Sequence, residues 1–330
     1  MKKLINNPEQ VVDDMLAGFL RANAAIVRRS ERDPRAVVRV MKEPDTVGVV
    51  IGGGSGHKPA FIGYVGEGMA DGVAVGNIFA SPSPYPILAA MQDMHQGKGI
   101  LLIYGNYSGD CMNFSMAAEL AEMEGIDVKQ IIVGDDVASA PQEEAERRRG
   151  IAGEFFVYKI AGAKAQSGAS LEEVYATTMK ANGWVRSMGV ALSPCSLPQT
   201  GKPSFTLGDD EMEIGLGVHG EPGVRRGPLL PARDVAKELV QTILSDFDCS
   251  GGEVAVLVNG LGSTSLMELY IMYDNIADEL ETRNVKIARS FVGEYVTSLE
   301  MGGCSLSILK LDDELKELLN KPARTGCLTL

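Results

Sequence analysis

The chain has few of the residues that disulfide frameworks and zinc sites require. Its cysteines are odd in number and scattered, and no CxxC pair occurs among Cys111, Cys195, Cys249, Cys304 and Cys327. This usage is typical of a reducing compartment and argues against disulfides or a structural zinc site. We therefore expect a cytoplasmic protein without a bound metal.

Long hydrophobic runs and clusters of basic residues are also missing from the 330 residues. No apolar segment approaches the roughly 20 residues of a membrane-spanning helix, and residues 1–8 lack the apolar core of a secretory signal. The net charge of −13 argues against nucleic acid as a direct ligand, because phosphate binding requires basic stripes. We expect neither a membrane protein nor a nucleic-acid-binding protein.

What is present is a repeated succession of buried strands and helices. In the first half we predict strands at 47–51, 99–104 and 128–133, and helices at 8–23, 111–124, 154–165 and 170–182. In the second half we predict strands at 190–192, 214–218, 254–258, 288–292 and 305–311, and helices at 232–245 and 264–282. This alternation indicates two α/β domains, residues 1–183 and 184–330, with largely parallel or mixed sheets flanked by helices.

A glycine-rich segment follows the first predicted strand. Four of the five residues 52–56 are glycine, and we expect a turn with positive φ whose bare backbone can touch a ligand. Pro59 disfavours a helical Lys58, so His57 is expected on a shaped loop. Because open α/β sheets bind ligands at the carboxyl ends of their strands, we interpret this loop as the floor of an active site.

The loop matches none of the common catalytic or nucleotide motifs. A Walker A loop ends in Gly-Lys-Ser/Thr, whereas His57 precedes Lys58 here and Pro59 replaces the hydroxyl residue. The dinucleotide fingerprint lacks its third glycine, and the serine-hydrolase elbow fails because His57 stands two residues after Ser55. We therefore do not expect this loop to hold a nucleotide.

Two further segments leave alternatives open. The Gly- and Pro-rich segment 63–86 indicates a long irregular binding loop, in which Phe79 and Ser81 either line a pocket or serve packing and a turn. The run Arg147–Arg149 is typical of a solvated surface.

Histidine is scarce, and its positions are informative. Of His57, His95 and His219, we expect His95 at the surface, because it lies in a polar helix end. His57 and His219 each follow a predicted strand at a glycine-rich turn, and Asp110 does so after a third strand. This pattern favours one shared site, where Asp and His act as general bases or an imidazole attacks a carbonyl carbon. A metal site is formally possible but less favoured, because the helical spacing of paired ligands is absent.

Motifs along nearly the whole chain resemble those of the dihydroxyacetone-binding subunit of dihydroxyacetone kinases, the DhaK family. In chain order they are GGGSGH at 52–57, IFASPSP at 78–84, NYSGD at 106–110, DDVA at 135–138, GKPSFTL at 201–207 and HGEPG at 219–223. The resemblance implies that His219 attacks the ketone carbonyl of the substrate and holds it as a covalent hemiaminal. Asp110, with His57, would bind the hydroxyl that is phosphorylated and take up its proton. The expected substrate contacts are Gly54, Ser55, Gly56, His57, Lys58, Phe79 and Asp110.

The resemblance also implies which subunit binds the nucleotide. This chain would carry no nucleotide. A DhaL-type subunit would supply the phosphoryl group from ADP recharged by a DhaM-type phosphotransferase protein, or from ATP with Mg²⁺. The chain would be a homodimer.

Two positions depart from the family pattern. The family typically has Glu where this chain has Lys58, and Lys where it has Gly105. Either the Lys58 ammonium fills the space of the missing lysine, or Gly105 enlarges the pocket for a longer ketose such as erythrulose or apulose. A third reading is a ligand-sensing transcriptional coactivator of the same family, although the retention of His57, Asp110 and His219 favours an enzyme.

Overall fold

A computed structural model describes residues 2–330. Its helices are α1 (Val11–Ala22), α2 (Pro84–Met94), α3 (Ser108–Met123), α4 (Glu154–Gln166), α5 (Leu171–Gly183), α6 (Ala232–Asp246), α7 (Leu266–Thr282) and α8 (Asp313–Asn320). The strands of the first half are β1 (Val27–Arg29), β2 (Ala36–Arg39), β3 (Gly48–Ser55), β4 (Gly66–Glu67), β5 (Gly72–Ile78), β6 (Ile100–Gly105) and β7 (Val128–Val133). Those of the second half are β8 (Val185–Ser193), β9 (Glu211–Ile214), β10 (Arg225–Pro228), β11 (Glu253–Gly260), β12 (Lys286–Gly293), β13 (Gly302–Leu311) and β14 (Arg324–Thr325).

The first sheet has the order β1-β2-β5-β3-β6-β7, in which β5, β3, β6 and β7 run parallel. Every residue of β3 is buried, and its side chains alternate between two cores. Val50 packs with α2 and α3 on one face, whereas Val49 and Ile51 pack with α4 and α5 on the other. The apolar strands therefore follow from a sheet that is covered on both faces.

The second sheet has the order β10-β9-β8-β13-β11-β12, and only β11 and β12 are parallel. Helices α6 and α7 cover one of its faces. The other face contributes Leu257 and Leu309 to the core that contains α4. Helix α4 therefore lies between the two sheets, which explains why nearly all of its residues are buried.

The predicted fold class is confirmed: both sheets are mixed and flanked by helices. The two large sheets divide the chain between Gly183 and Val185, but β14 returns to pair with β4 and one core spans both halves. The division into domains at residue 183 therefore stays a proposal. Within residues 2–330, no helix has the length and apolarity needed to cross a bilayer.

Three local predictions outside the glycine-rich segment 52–56 were wrong. Residues 63–86 are not one irregular loop, because they contain β4, β5 and the start of α2. Gly76 lies inside β5, where a Cβ would approach the carbonyl oxygen of Ala80 to 2.0 Å, so this glycine reflects close backbone contact and not irregularity. The strand predicted at 214–218 is β9 at 211–214, which ends where Gly215 takes φ +78°.

The third error concerns the arginine run. Arg148 is 1% exposed, and its guanidinium donates to both carboxylate oxygens of Asp246 at 2.8 and 2.5 Å. Arg149 pairs with the buried Asp136 at 2.8 Å. Only Arg147 is at the surface as predicted, because the other two side chains connect the first sheet to the second half of the chain.

Candidate active site

A narrow cleft, with only about 20 Å³ open to water, lies between the two sheets at the carboxyl ends of β3 and β6. The first half of the chain forms most of its wall, and the loops after β9 and β12 close it. It is lined by Gly52, Gly53, Gly54, His57, Phe61, Gly105, Tyr107, Asp110, Gly150, Ile151, Glu154, Val218, His219 and Val296.

The glycines at the base of this cleft extend β3 instead of forming the predicted turn. Strand β3 continues to Ser55, and within 52–56 only Gly56 has positive φ, at +109°. The other glycines allow close approach: a Cβ on Gly53 would lie 2.4 Å from the Phe61 ring, and one on Gly54 would lie 2.8 Å from the backbone nitrogen of Ala80. The bare carboxyl end of a central strand therefore forms the floor of the cleft.

His57 is buried just beyond the end of β3. Its Nδ1 lies 2.7 Å from the carbonyl oxygen of Thr297, and its ring stacks on Phe79 with centroids 5.2 Å apart. Burial, together with the nearby His219, lowers the pKa of His57 to about 3. His57 is therefore a neutral imidazole at physiological pH.

His219 reaches the same point from the second half of the chain. Its Nε2 lies 3.1 Å from His57 Nε2, and its Nδ1 lies 2.9 Å from Glu221 Oε1. The other carboxylate oxygen of Glu221 accepts the backbone N–H of His219 at 2.9 Å. Burial acts to raise the pKa of Glu221, but the hydrogen bonds and charge of His219 outweigh it and lower that pKa to about 2. Glu221 is therefore an anion that fixes the orientation of the His219 ring.

These contacts indicate the hydrogen-bonding roles of the ring nitrogens in the histidine pair. A carbonyl oxygen only accepts, so His57 donates from Nδ1 to Thr297, and its Nε2 carries a lone pair. The Glu221 carboxylate likewise requires a proton on His219 Nδ1. A 3.1 Å contact between two bare Nε2 atoms would be repulsive, so a proton lies between them.

Asp110 lies in the first turn of α3 and is 8% exposed. Among the described residues its Oδ1 has no hydrogen-bond partner. Burial raises the pKa of Asp110 to about 6, although the Ser81 hydroxyl and His219 act in the opposite direction. A carboxylate with one unpartnered oxygen and this pKa is suited to accepting a proton near neutral pH.

Other predicted contacts fall outside the cleft. Phe79 packs behind the two histidines, with its ring 5.1 Å from that of His219. Ser55, Gly56 and Lys58 line a separate groove beside Thr297. Burial lowers the pKa of Lys58 to about 8, and the neighbouring charge is that of Cys327. The ammonium of Lys58 therefore does not occupy the space beside Gly105.

Sequence reasoning assigned no role to Glu221, Thr297 or Glu154. Glu221 could have been found within the HGEPG motif, because a carboxylate two residues from a histidine can fix its tautomer. Thr297 acts through its backbone carbonyl, which no residue type signals. Glu154 could have been found as well, because it is a charged residue at the start of an otherwise apolar helix. Across residues 2–330, no three His, Cys, Asp or Glu side chains cluster as metal ligands.

The Dak1 domain family model matches residues 17–327. This chain belongs to the Dak1 family. It is 47% identical to the dihydroxyacetone-binding subunit DhaK of a PTS-dependent dihydroxyacetone kinase of Listeria innocua, over 95% of each chain. It is 44% identical to a D-erythrulose kinase of Mycolicibacterium smegmatis, covering 98% of this chain but 56% of that protein.

A solved structure described as the dihydroxyacetone kinase operon co-activator Dha-DhaQ is similar throughout. Its TM-score is 0.89 at 34% identity, and the match covers 95% of this chain and 96% of that one. The chain is therefore DhaK-like in sequence and in fold, within a family of dihydroxyacetone-type kinases that also includes a co-activator.

Proposed function

We propose that this chain is the ketose-binding subunit of a dihydroxyacetone-type kinase and that it holds its substrate as a covalent hemiaminal on His219. The observation that carries the proposal is the 3.1 Å contact between the Nε2 atoms of His57 and His219, in a cleft that Asp110 also lines. Imidazole nitrogen is a nucleophile toward carbonyl carbon, and a polyol such as glycerol offers no such carbon. Capture would therefore select ketoses.

The protons balance within the residues of the cleft. His219 Nε2 passes its proton to His57 Nε2, and the freed lone pair attacks C2 of the ketose. The π electrons of the C=O bond move to its oxygen, which takes the proton back from His57. The product is an imidazolium with C2 on Nε2 and a proton on Nδ1, and the Glu221 carboxylate neutralises its charge.

Phosphoryl transfer then requires a base at the terminal hydroxyl. Asp110 has a free, buried oxygen in the cleft, so it would accept the proton of that hydroxyl while the oxygen attacks phosphorus. The nucleotide, ADP or ATP with Mg²⁺, would be carried by a DhaL-type partner subunit. In a PTS-dependent system, a DhaM-type protein would restore its phosphoryl group.

Carbon-13 NMR with dihydroxyacetone labelled at C2 tests the capture step. On binding, the carbonyl resonance should be replaced by that of a tetrahedral carbon. The intact mass should increase by one whole ketose, because a hemiaminal forms without loss of water. His219→Ala should show neither change. A carbonyl resonance that persists at saturating ketose would contradict covalent capture.

A ligand-sensing coactivator is the second candidate, because of the similarity to the co-activator structure. Both candidates capture a ketose, so capture does not separate them. Assay with a DhaL-type partner does: a kinase subunit forms ketose phosphate, whereas a sensor captures ketose without turnover.

A further inference from the structure

The space beside Gly105 is occupied by a carboxyl group. Glu154 Oε1 lies 2.5 Å from the position that a Cβ would take on Gly105, and equally 2.5 Å from that of a Cβ on Gly150. Any side chain at either glycine would collide with it. All three residues line the cleft that contains His57, Asp110 and His219. Gly105 therefore does not simply enlarge the pocket, because it makes room for Glu154.

A hydrogen bond from Tyr158 fixes the orientation of this carboxyl group. The Tyr158 hydroxyl, one turn along α4, donates to Glu154 Oε2. Burial raises the pKa of Tyr158 well above its usual range, so this hydroxyl keeps its proton and acts as the donor. Since Oε2 accepts from Tyr158, Oε1 is the oxygen on the side of the two glycines.

Burial favours the protonated, neutral form of Glu154. It is 3% exposed, and burial raises its pKa well above its usual range, with the charges of Asp135 and Asp110 acting in the same direction. When the group is protonated, the proton belongs on Oε1, because Oε2 already accepts the Tyr158 hydrogen bond. A carboxylic acid O–H in a cleft pairs well with a hydroxyl, which can both accept from it and donate to it.

We propose that Glu154 is a specificity-determining residue that binds a hydroxyl of the ketose beyond the three carbons of dihydroxyacetone, so that this chain prefers a four-carbon ketose. The inference rests on the proposed function: His219 and Asp110 hold the carbonyl carbon and the reacting hydroxyl, and Glu154, which lines the same cleft, contacts the additional carbon unit. A bound ketose without a fourth carbon leaves the carboxyl O–H without a partner. A buried polar group without a partner is unfavourable, so the site discriminates against the shorter ketose.

Binding measurements on two probe ketoses test this inference without a partner subunit. Affinities of dihydroxyacetone and of each erythrulose enantiomer are measured by titration of the C2 resonance. Glu154→Ala should weaken erythrulose binding about tenfold and should not weaken dihydroxyacetone binding, because it removes the carboxyl group that the shorter ketose leaves without a partner. Glu154→Gln, whose amide keeps a donor and an acceptor, should retain the preference. Retained dihydroxyacetone capture shows that the variants fold.

A second variant tests the same carboxyl group by displacing it. Gly105→Ala places a Cβ against Oε1 and should displace it, so it should weaken erythrulose binding to a similar degree. In a Glu154→Ala background the same Gly105→Ala change should have no further effect on erythrulose binding, because the colliding oxygen is gone. Additive losses would mean that Gly105 acts independently of Glu154.

The outcomes separate the two proposals. If the wild-type chain captures neither ketose, the proposed function fails. If it captures both, and Glu154→Ala weakens both equally or neither, the role of Glu154 is wrong while the capture proposal stands. Equal affinity of the wild-type chain for both ketoses would also overturn the inferred preference.

Discussion

The Nε2 atoms of His57 and His219 lie 3.1 Å apart, although 162 positions separate the two residues in the chain. The carbonyl of Thr297 anchors one ring and the carboxylate of Glu221 anchors the other. Because the Nδ1 atom of each ring acts as a donor, the contact between the two Nε2 atoms requires one proton between them. A proton on His219 Nε2 must leave before that nitrogen can attack a carbonyl, and His57 is placed to receive it.

Replacing Glu221 should weaken ketose capture. In Glu221→Gln the imidazolium adduct loses its neutralising anion, so we expect affinity for ketose to fall about tenfold or more. Glu211→Gln is a matched control, because Glu211 is exposed at the other end of β9. Titration of both variants by C2 resonance measures the effect. Wild-type affinity in Glu221→Gln would mean that the adduct carries no charge on its ring.

Phosphoryl transfer should depend on pH through Asp110. Burial raises the pKa of Asp110 to about 6, so its base form is lost as pH falls through that value. With a DhaL-type partner and saturating ketose, we expect the rate to be level above about pH 7 and to fall about tenfold per unit well below pH 6. His57, with a pKa of about 3, does not titrate in this window.

The matching variant is Asp110→Asn. It should lower the transfer rate by about 10²–10⁴ and remove the acidic limb, while leaving ketose capture in place. The pH–rate profiles of both proteins give the comparison. An acidic limb that survives in Asp110→Asn would assign it to another group.

A side chain at Gly54 should destabilise the protein. A Cβ there would lie 2.8 Å from the backbone nitrogen of Ala80, and backbone cannot move aside as a flexible side chain can. We expect Gly54→Ala to lower the free energy of unfolding by about 1–3 kcal/mol. Gly18→Ala is the control, because Gly18 lies in α1 with no atom within 4 Å of its added Cβ. That variant should gain up to about 1 kcal/mol. Urea denaturation measures both.

Removing Asp246 should cost more than removing a surface carboxylate from the same helix. Asp246→Ala leaves Arg148, which is 1% exposed, without its carboxylate partner, and should cost about 3–5 kcal/mol. Glu238→Ala, also in α6, removes a more exposed pair with Arg225 and should cost less than about 1 kcal/mol. Similar losses in urea denaturation for both would contradict a buried anchor at Arg148.

Local patterns predicted much of the architecture. The apolar run at 99–104 corresponds to β6 at 100–105, and the strand predicted at 128–133 has the bounds of β7. Strand β5 was missed because its glycines look like loop residues, whereas Gly76 is required by close contact with neighbouring backbone. Arg148 was placed at the surface because the sequence does not reveal which carboxylate lies opposite a charged side chain.

The sequence by itself determined the residue types at the site and the family, because strand ends, glycine runs and the HGEPG motif are local features. Tertiary structure alone decided that the two imidazoles meet, since this depends on how the two sheets pack on either side of α4. It also decided that the gap at Gly105 is filled by a carboxyl group from position 154. Contacts of this kind depend on distances in space, which cannot be read from the spacing of residues along the chain.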